Sequence, residues 1–391
     1  MNYILGISIL LVFAKSLEWL LEKKDIHPIL AHITTGIILG PFVLDLVSPS
    51  EQLKVLSEFG LLMMMLYMGL TSNFSAIAQN TQKALVVASF GVAFSFILGY
   101  LTVRAFGFPF VAAIFVGVTL GNTAIEVTSG VLVKERVGRL VSSVLMGAAF
   151  ADDIIAVYLI GVVTAMTKGS LDLISIVLLT LKIALFLVAT LLISEFVFKR
   201  SHWFYAVVRN LNVFFTFTII LTFALAVIAE EIGLNQIIGA YLAGLTISRL
   251  RERKDPLVVS KIKLNELIND LQVVLTEFFI PLFFIYVGLM FNPPLEKVSI
   301  PLILALYASA VLGKLIGCSL GMKLFRASWS DAILVGIGMG GRGSLELAIL
   351  KFGLESGIID QSLFATIIII SMLTALTTPI FFKHAIKKVK K

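Results

Sequence analysis

Thirteen mainly apolar stretches, each near the length of a bilayer crossing, constrain this 391-residue chain more than any other feature. They lie near 3–21, 27–47, 54–71, 84–104, 109–133, 138–166, 171–198, 211–229, 235–249, 269–290, 299–322, 329–350 and 360–382. A crossing helix needs about 20 such residues, and helices are favoured there because each segment satisfies its own backbone. The sequence therefore predicts an all-α polytopic membrane protein of 13 transmembrane helices, a single membrane unit over 1–391 with no soluble domain. Composition agrees: 59% of residues are hydrophobic and 14% charged, where soluble domains average about 45–50% and about 25%. The first segment lacks the charged n-region and small-residue cleavage site of a signal peptide, so it reads as a retained span. Cys318, the single cysteine, excludes an intramolecular disulfide.

The positive charges sit on one side. With the N-terminus outside, 22 of the 31 Lys and Arg residues fall in loops and a tail on the cytoplasmic side and five on the other. This bias predicts N-out, C-in in the cell membrane. The basic tail from Lys383 to Lys391 would then face the anionic lipid bilayer. These charges hug helix ends, so no nucleic-acid partner is expected.

The two halves of the chain echo each other. Ala31–Ile37 resembles Gly239–Leu245, and Leu66–Asn73 resembles Ile285–Asn292, at offsets of about 208–219 residues. The offset is seven spans, an odd number, so the copies must be inverted. Inverted-topology repeats are a mark of secondary transporters, whose site lies at the midplane between repeats. Equivalent spans five and twelve both look interrupted. Span five carries the polar run Thr119–Gly130, with Asn122, Thr123, Thr128 and Ser129. Span twelve has five glycines within 336–343, which weaken helix propagation. Two such breaks predict crossing interrupted helices around a binding site. Gly336-x-Gly338-x-x-Gly341 also matches a dinucleotide fingerprint, but no strand–turn–helix context surrounds it.

Charge inside these spans points to chemistry. Asp152 and Asp153 are adjacent within an apolar stretch, where one ionisable residue costs about 2.5–3.5 kcal/mol or more. That cost makes sense if a proton or metal cation comes and goes. Two carboxylates in one site titrate as a pair, and a monovalent cation such as Na+ held at Asp153 and Asp152 substitutes for a proton. Lys314 lies centrally in span eleven, about 14–21 Å from either interface along the helix, too far to snorkel. It reads as the partner of one aspartate. Cation entry or protonation would end that pairing and let Lys314 lose its own proton. Glu126 and Arg342 occupy the two breaks and can pair across them, with Glu346 a competing partner at i,i+4. Asn122, Thr123, Thr128 and Ser129 offer oxygen ligands to a hard cation. Lys15, Glu18, Lys182, Glu195 and Glu277 read as solvated span ends, and His32 as a packed, hydrogen-bonded histidine.

Together the thirteen spans, the Asp152-Asp153 pair, Lys314 and the two broken helices resemble the monovalent cation:proton antiporter family, in particular its NapA-type sodium/proton antiporters. Ala31–Pro41, Phe59–Leu70 and Phe278–Leu289 resemble it too. The resemblance implies Na+ (or Li+) exchanged for H+ and no cofactor beyond these transported ions. It implies Asp153 as principal cation ligand, an Asp152–Lys314 pair, and Asn122 and Thr123 at the unwound polar positions. An Asp-Asp pair implies electrogenic exchange of more than one proton per cation. It also implies a homodimer, whose mobile core (including 54–166 and 269–382) moves elevator-like against a dimerisation domain (including 1–47 and 171–249). Arg342-Gly343-Ser344-Leu345-Glu346 stands where many members have Arg-Gly-Glu, so Glu346 departs from the pattern. A potassium/proton antiporter or a proton-coupled solute symporter is the alternative. A channel needs no proton-exchanging carboxylate pair, and no enzyme is expected. An intramembrane aspartyl protease needs aspartates on two facing helices, whereas these are neighbours on one.

Overall fold

A computed structural model of the chain describes residues 3–23, 26–71, 80–124, 127–128, 131–132, 137–167, 173–196, 202–232, 236–252, 259–294, 296 and 298–389. The main elements among them are helical. In chain order they are α1 (Tyr3–Glu22), α2 (Pro28–Leu39), α3 (Glu51–Thr71), α4 (Thr81–Ala105), α5 (Phe110–Gly121), α6 (Arg139–Thr167), α7 (Leu173–Ile193) and α8 (His202–Arg209). There follow α9 (Leu211–Ile232), α10 (Gln236–Ser248), α11 (Val259–Val274), α12 (Ile280–Leu289), α13 (Ile300–Lys323), α14 (Trp329–Gly338), α15 (Ser344–Glu355) and α16 (Gln361–Val389). Eight are long and apolar enough to cross a membrane: α1, α3, α4, α6, α9, the joined α11–α12, α13 and α16. Four more, α2, α5, α10 and α14, are shorter apolar helices.

Local chemistry sets several boundaries. Helix α2 starts at Pro28, whose missing N–H costs nothing at that position, and stops at Leu39, well before the expected end near 47. Gly40 is extended (φ −80°, ψ −175°), as the residue before Pro41 tends to be. Between α11 and α12, residues Leu275–Phe279 form one π-helical turn. Pro281 explains it: proline lacks an N–H and clashes with the carbonyl four residues back, here that of Glu277. Helices α13 and α14 are capped by Ser299 and Ser328, whose hydroxyls accept from the Leu302 and Asp331 amides.

The helices pack in two groups. One comprises α4, α5, α6, α13, α14, α15 and α16, with α4 lying along α13. The other comprises α1, α2, α3, α9, α10 and α11–α12. Helix α7 packs on α6 in the first group and on α9 and α10 in the second. Spans 54–71 and 269–290, expected in the core, thus pack chiefly with the second group. Four glycines make this packing possible. A methyl group at Gly36 would overlap the carbonyl oxygen of Ile285, and one at Gly288 that of Ile33. The crossing of α3 with α10 is built the same way: Gly69 faces the Tyr241 carbonyl and Gly244 that of Leu66. Only glycine lets helix backbones come this close.

Candidate cation site

The site forms where two chain breaks meet inside the first group. Helix α5 ends at Gly121 and the chain runs on extended through Asn122 (φ −80°, ψ 157°). Helix α14 ends at Gly338, and the chain resumes helical structure at Ser344. Both breaks fall where the polar run and the glycine cluster predict them. The segments touch directly, the Ala124 amide donating to the Gly341 carbonyl at 2.8 Å. Gly341 eases that approach, since a Cβ there would sit tightly, 3.0 Å from Val127 Cβ and 3.1 Å from the Ala124 oxygen.

Unwinding leaves backbone carbonyls without helical donors, and buried carbonyls demand them. Side chains supply the donors. Arg342 Nη1 donates to the freed Asn122 carbonyl at 3.0 Å, and Nη2 also reaches the Ala310 carbonyl within intact α13 at 3.4 Å. Thr123 Oγ1 lies 3.0 Å from the Met339 carbonyl and 2.7 Å from Asp152 Oδ2. A hydroxyl has one proton, so it donates to one of these acceptors at a time.

Asp152 and Lys314 form a fully buried ion pair, Lys314 Nζ donating to Asp152 Oδ2. The other carboxylate oxygen, Oδ1, has no hydrogen-bond partner. Gly91 on α4 leaves room for Cys318, one turn along α13 from the lysine: a Cβ there would lie 2.5 Å from Cys318 Sγ. Asp153 is turned away from this pair. Neighbours on a helix differ by about 100°, and Asp153 lines a narrow cavity between the two helix groups with Met65, Met68, Ile237, Tyr241 and Leu345. It is half-buried where Asp152 is sealed. Among the described residues no three His, Cys, Asp or Glu side chains are gathered for a metal ion. Among the neutral oxygens at the break, buried Asn122 Oδ1 is unpartnered.

Arg342 and Glu346, both buried, stand 3.9 Å apart, and both Glu346 oxygens lack a hydrogen-bond partner. Thr128 is also buried. Glu126 and Ser129 lie outside the described residues. Two charge clusters escaped the sequence reading. Lys15 bridges Glu18 and Glu277 at 2.9 and 2.7 Å, and His32 Nε2 meets Glu18 at 3.0 Å. Lys351, counted as a loop charge, is buried against Glu58 and Glu355 at 3.2 and 3.3 Å. Nothing local shows that neighbouring helices cover His32 and Lys351 or bring these acids to them.

The broken helices and the buried ion pair define a polytopic membrane protein with a charged centre. The chain belongs to the family described as sodium/hydrogen exchanger, transmembrane, whose profile matches residues 7–387. The Na+/H+ antiporter of Enterococcus hirae is 28% identical over 394 residues, covering 98% of both chains. The Na+/H+-K+ antiporter GerN of Bacillus cereus is also 28% identical, covering 98% of this chain and 96% of that one. In fold, the chain is similar to the sodium proton antiporter MjNhaP1 of Methanocaldococcus jannaschii. That match has a TM-score of 0.70 at 17% identity over 97% of this chain and 96% of the other.

Proposed function

We propose that this protein exchanges Na+ (or Li+) for H+ across the cell membrane. The observation that carries the reading is the division of labour between adjacent aspartates. Asp152 is locked to Lys314 in the interior, and half-buried Asp153 stands beside a narrow cavity between two helix groups. A carboxylate at such a cavity binds a proton or a small cation but not both, and competition for the same oxygens is sufficient for exchange. The cavity is narrow, with room for little more than a water-sized group, whereas an organic solute needs a pocket of about 300–1,000 Å³; this favours an inorganic cation over the solute of a symporter. Exchange is electrogenic in this reading: a cation that draws Asp152 away from Lys314 releases a second proton from the lysine.

The movement is elevator-like alternating access. The moving core is α4–α6 with α13–α16, against a frame of α1–α3 and α9–α12 that carries the homodimer contact. This reassigns 54–71 and 269–290 to the frame, on the strength of their packing. Thirteen crossings, with N-terminus out and C-terminus in, accommodate the loop charges. Inverted repeats are supported by the glycine contacts: under the offset relating Gly36 to Gly244 and Gly69 to Gly288, each contact maps onto the other. Potassium is the second cation to test, because the relative GerN carries it in its name. The test is purified protein in proteoliposomes with an internal pH dye, given Na+, Li+ and K+ in turn. A Na+- or Li+-driven pH change is expected. A response to K+ alone moves the assignment to potassium/proton exchange, and silence with all three removes the antiporter reading.

A further inference from the structure

Far from the cation site, a second set of charges joins the two helix groups. Lys351 lies near the end of α15, which packs on α5 and α16 in the first group. Its side chain is 4% exposed, yet its ammonium reaches across to Glu58 of α3 at 3.2 Å. It also lies over the ring of Tyr286 on α12, 5.5 Å from the centroid. A second pair runs in the opposite sense: Lys54 of α3 is 3.9 Å from Glu355 of α15. Glu355 also holds Lys351 within α15, at 3.3 Å. Each group thus contributes a cation and an acid to the other. An ammonium buried this deeply is stable only with such partners, so sliding α15 along α3 exposes or orphans it.

The position of this cluster is as informative as its chemistry. Glu58 precedes Met65 on α3 by about 10 Å, and Lys351 follows Leu345 on α15 by about 9 Å, at 1.5 Å per residue. Met65 and Leu345 both line the cavity at Asp153. The cluster therefore closes one end of the seam in which the cavity lies, and the loop charges put that end outside the cell. We propose that Lys351, Glu58, Glu355 and Lys54, with the face of Tyr286, form an ion-pair latch. It fastens the moving core to the frame in the state closed to the outside, and it must open in every transport cycle. This rests on the alternating-access reading above.

The test is reversible cross-linking of a Glu58→Cys, Lys351→Cys protein with a short bifunctional thiosulfonate, each single variant serving as control. Cys318 is fully buried and stays in place. Cross-linking is expected to stop Na+-driven exchange in proteoliposomes, and reductant to restore it. A cross-linked protein that exchanges at its reduced rate overturns the latch. The second arm needs no transport. In a Met65→Cys background, Glu58→Gln with Lys351→Met is expected to raise labelling by an impermeant maleimide from the outer face several-fold. Unchanged labelling overturns the latch. Absence of exchange from wild-type protein with enhanced labelling of the variant overturns the antiporter reading alone.

Discussion

Backbones come close at many places in this molecule, and two of these contacts are made by opposite means. In the frame, α2 crosses α12 and α3 crosses α10 through Gly36, Gly288, Gly69 and Gly244, all within unbroken helical runs. In the core, the break after α5 meets the break between α14 and α15, and the contact is surrounded by Asp152, Lys314, Arg342 and Glu346. An intact helix has already satisfied its backbone, so small residues suffice for close contact. An unwound segment has not, and its carbonyls recruit Arg342 and the Thr123 hydroxyl. Close contact leaves the frame crossings apolar and makes the core contact polar, and in the proposed account that polarity carries the cation.

Substitutions in the two regions should fail differently. Asp153→Asn is expected to abolish exchange while folding remains normal by size-exclusion profile; exchange at the wild-type rate would detach the cavity from transport. Next in size is Lys314→Ala, which strands Asp152 in the interior. Removing one member of a buried pair costs about 3–5 kcal/mol, visible as a lower melting temperature in detergent. Adding Asp152→Asn should recover most of that loss, since the orphaned charge goes with it. In the frame, Gly244→Leu forces a side chain into the Leu66 carbonyl. Overpacking of this kind costs about 1–3 kcal/mol or more, whereas Gly138→Ala, with open space around its Cβ position, should cost nothing measurable. Equal tolerance at both positions would deny the crossing its role. The smallest effect is expected from Thr123→Val, which keeps the shape and loses a hydrogen bond to a charged group, worth about 1.5 kcal/mol; Thr123→Ser should retain it.

The sequence revealed the core better than the frame. Asp152 and Lys314 announced each other because neither can stand alone in an apolar span, and the structure joins them. The polar run and the glycines located both breaks, since glycine and unpaired polar groups act locally. Arg342 and Glu346 were offered as neighbours by i,i+4 spacing, and they do meet, although Arg342 lies in the break before α15 begins. What escaped was decided by packing between distant segments. Nothing local places α3 and α12 with α10 and α2, because apolar spans look alike whichever neighbour they choose. The same blindness hid Lys351 and the Lys15–Glu18–Glu277 cluster, whereas His32, read as packed and hydrogen-bonded, is buried and bonded to Glu18. The early end of α2 had a local cause, Gly40-Pro41, but hydropathy alone ran past it.

The central claim is that a cation displaces a proton at Asp153, and proton release from purified protein in weakly buffered detergent tests it most directly. Adding Na+ should acidify the wild-type solution, and for each unit fall in pH below the site's own pKa the Na+ concentration needed should rise about tenfold per proton displaced, about a hundredfold when Asp153 and Lys314 each give one up. Asp153→Asn should release nothing. Release of equal size from Asp153→Asn, or none from the wild type, would contradict the account.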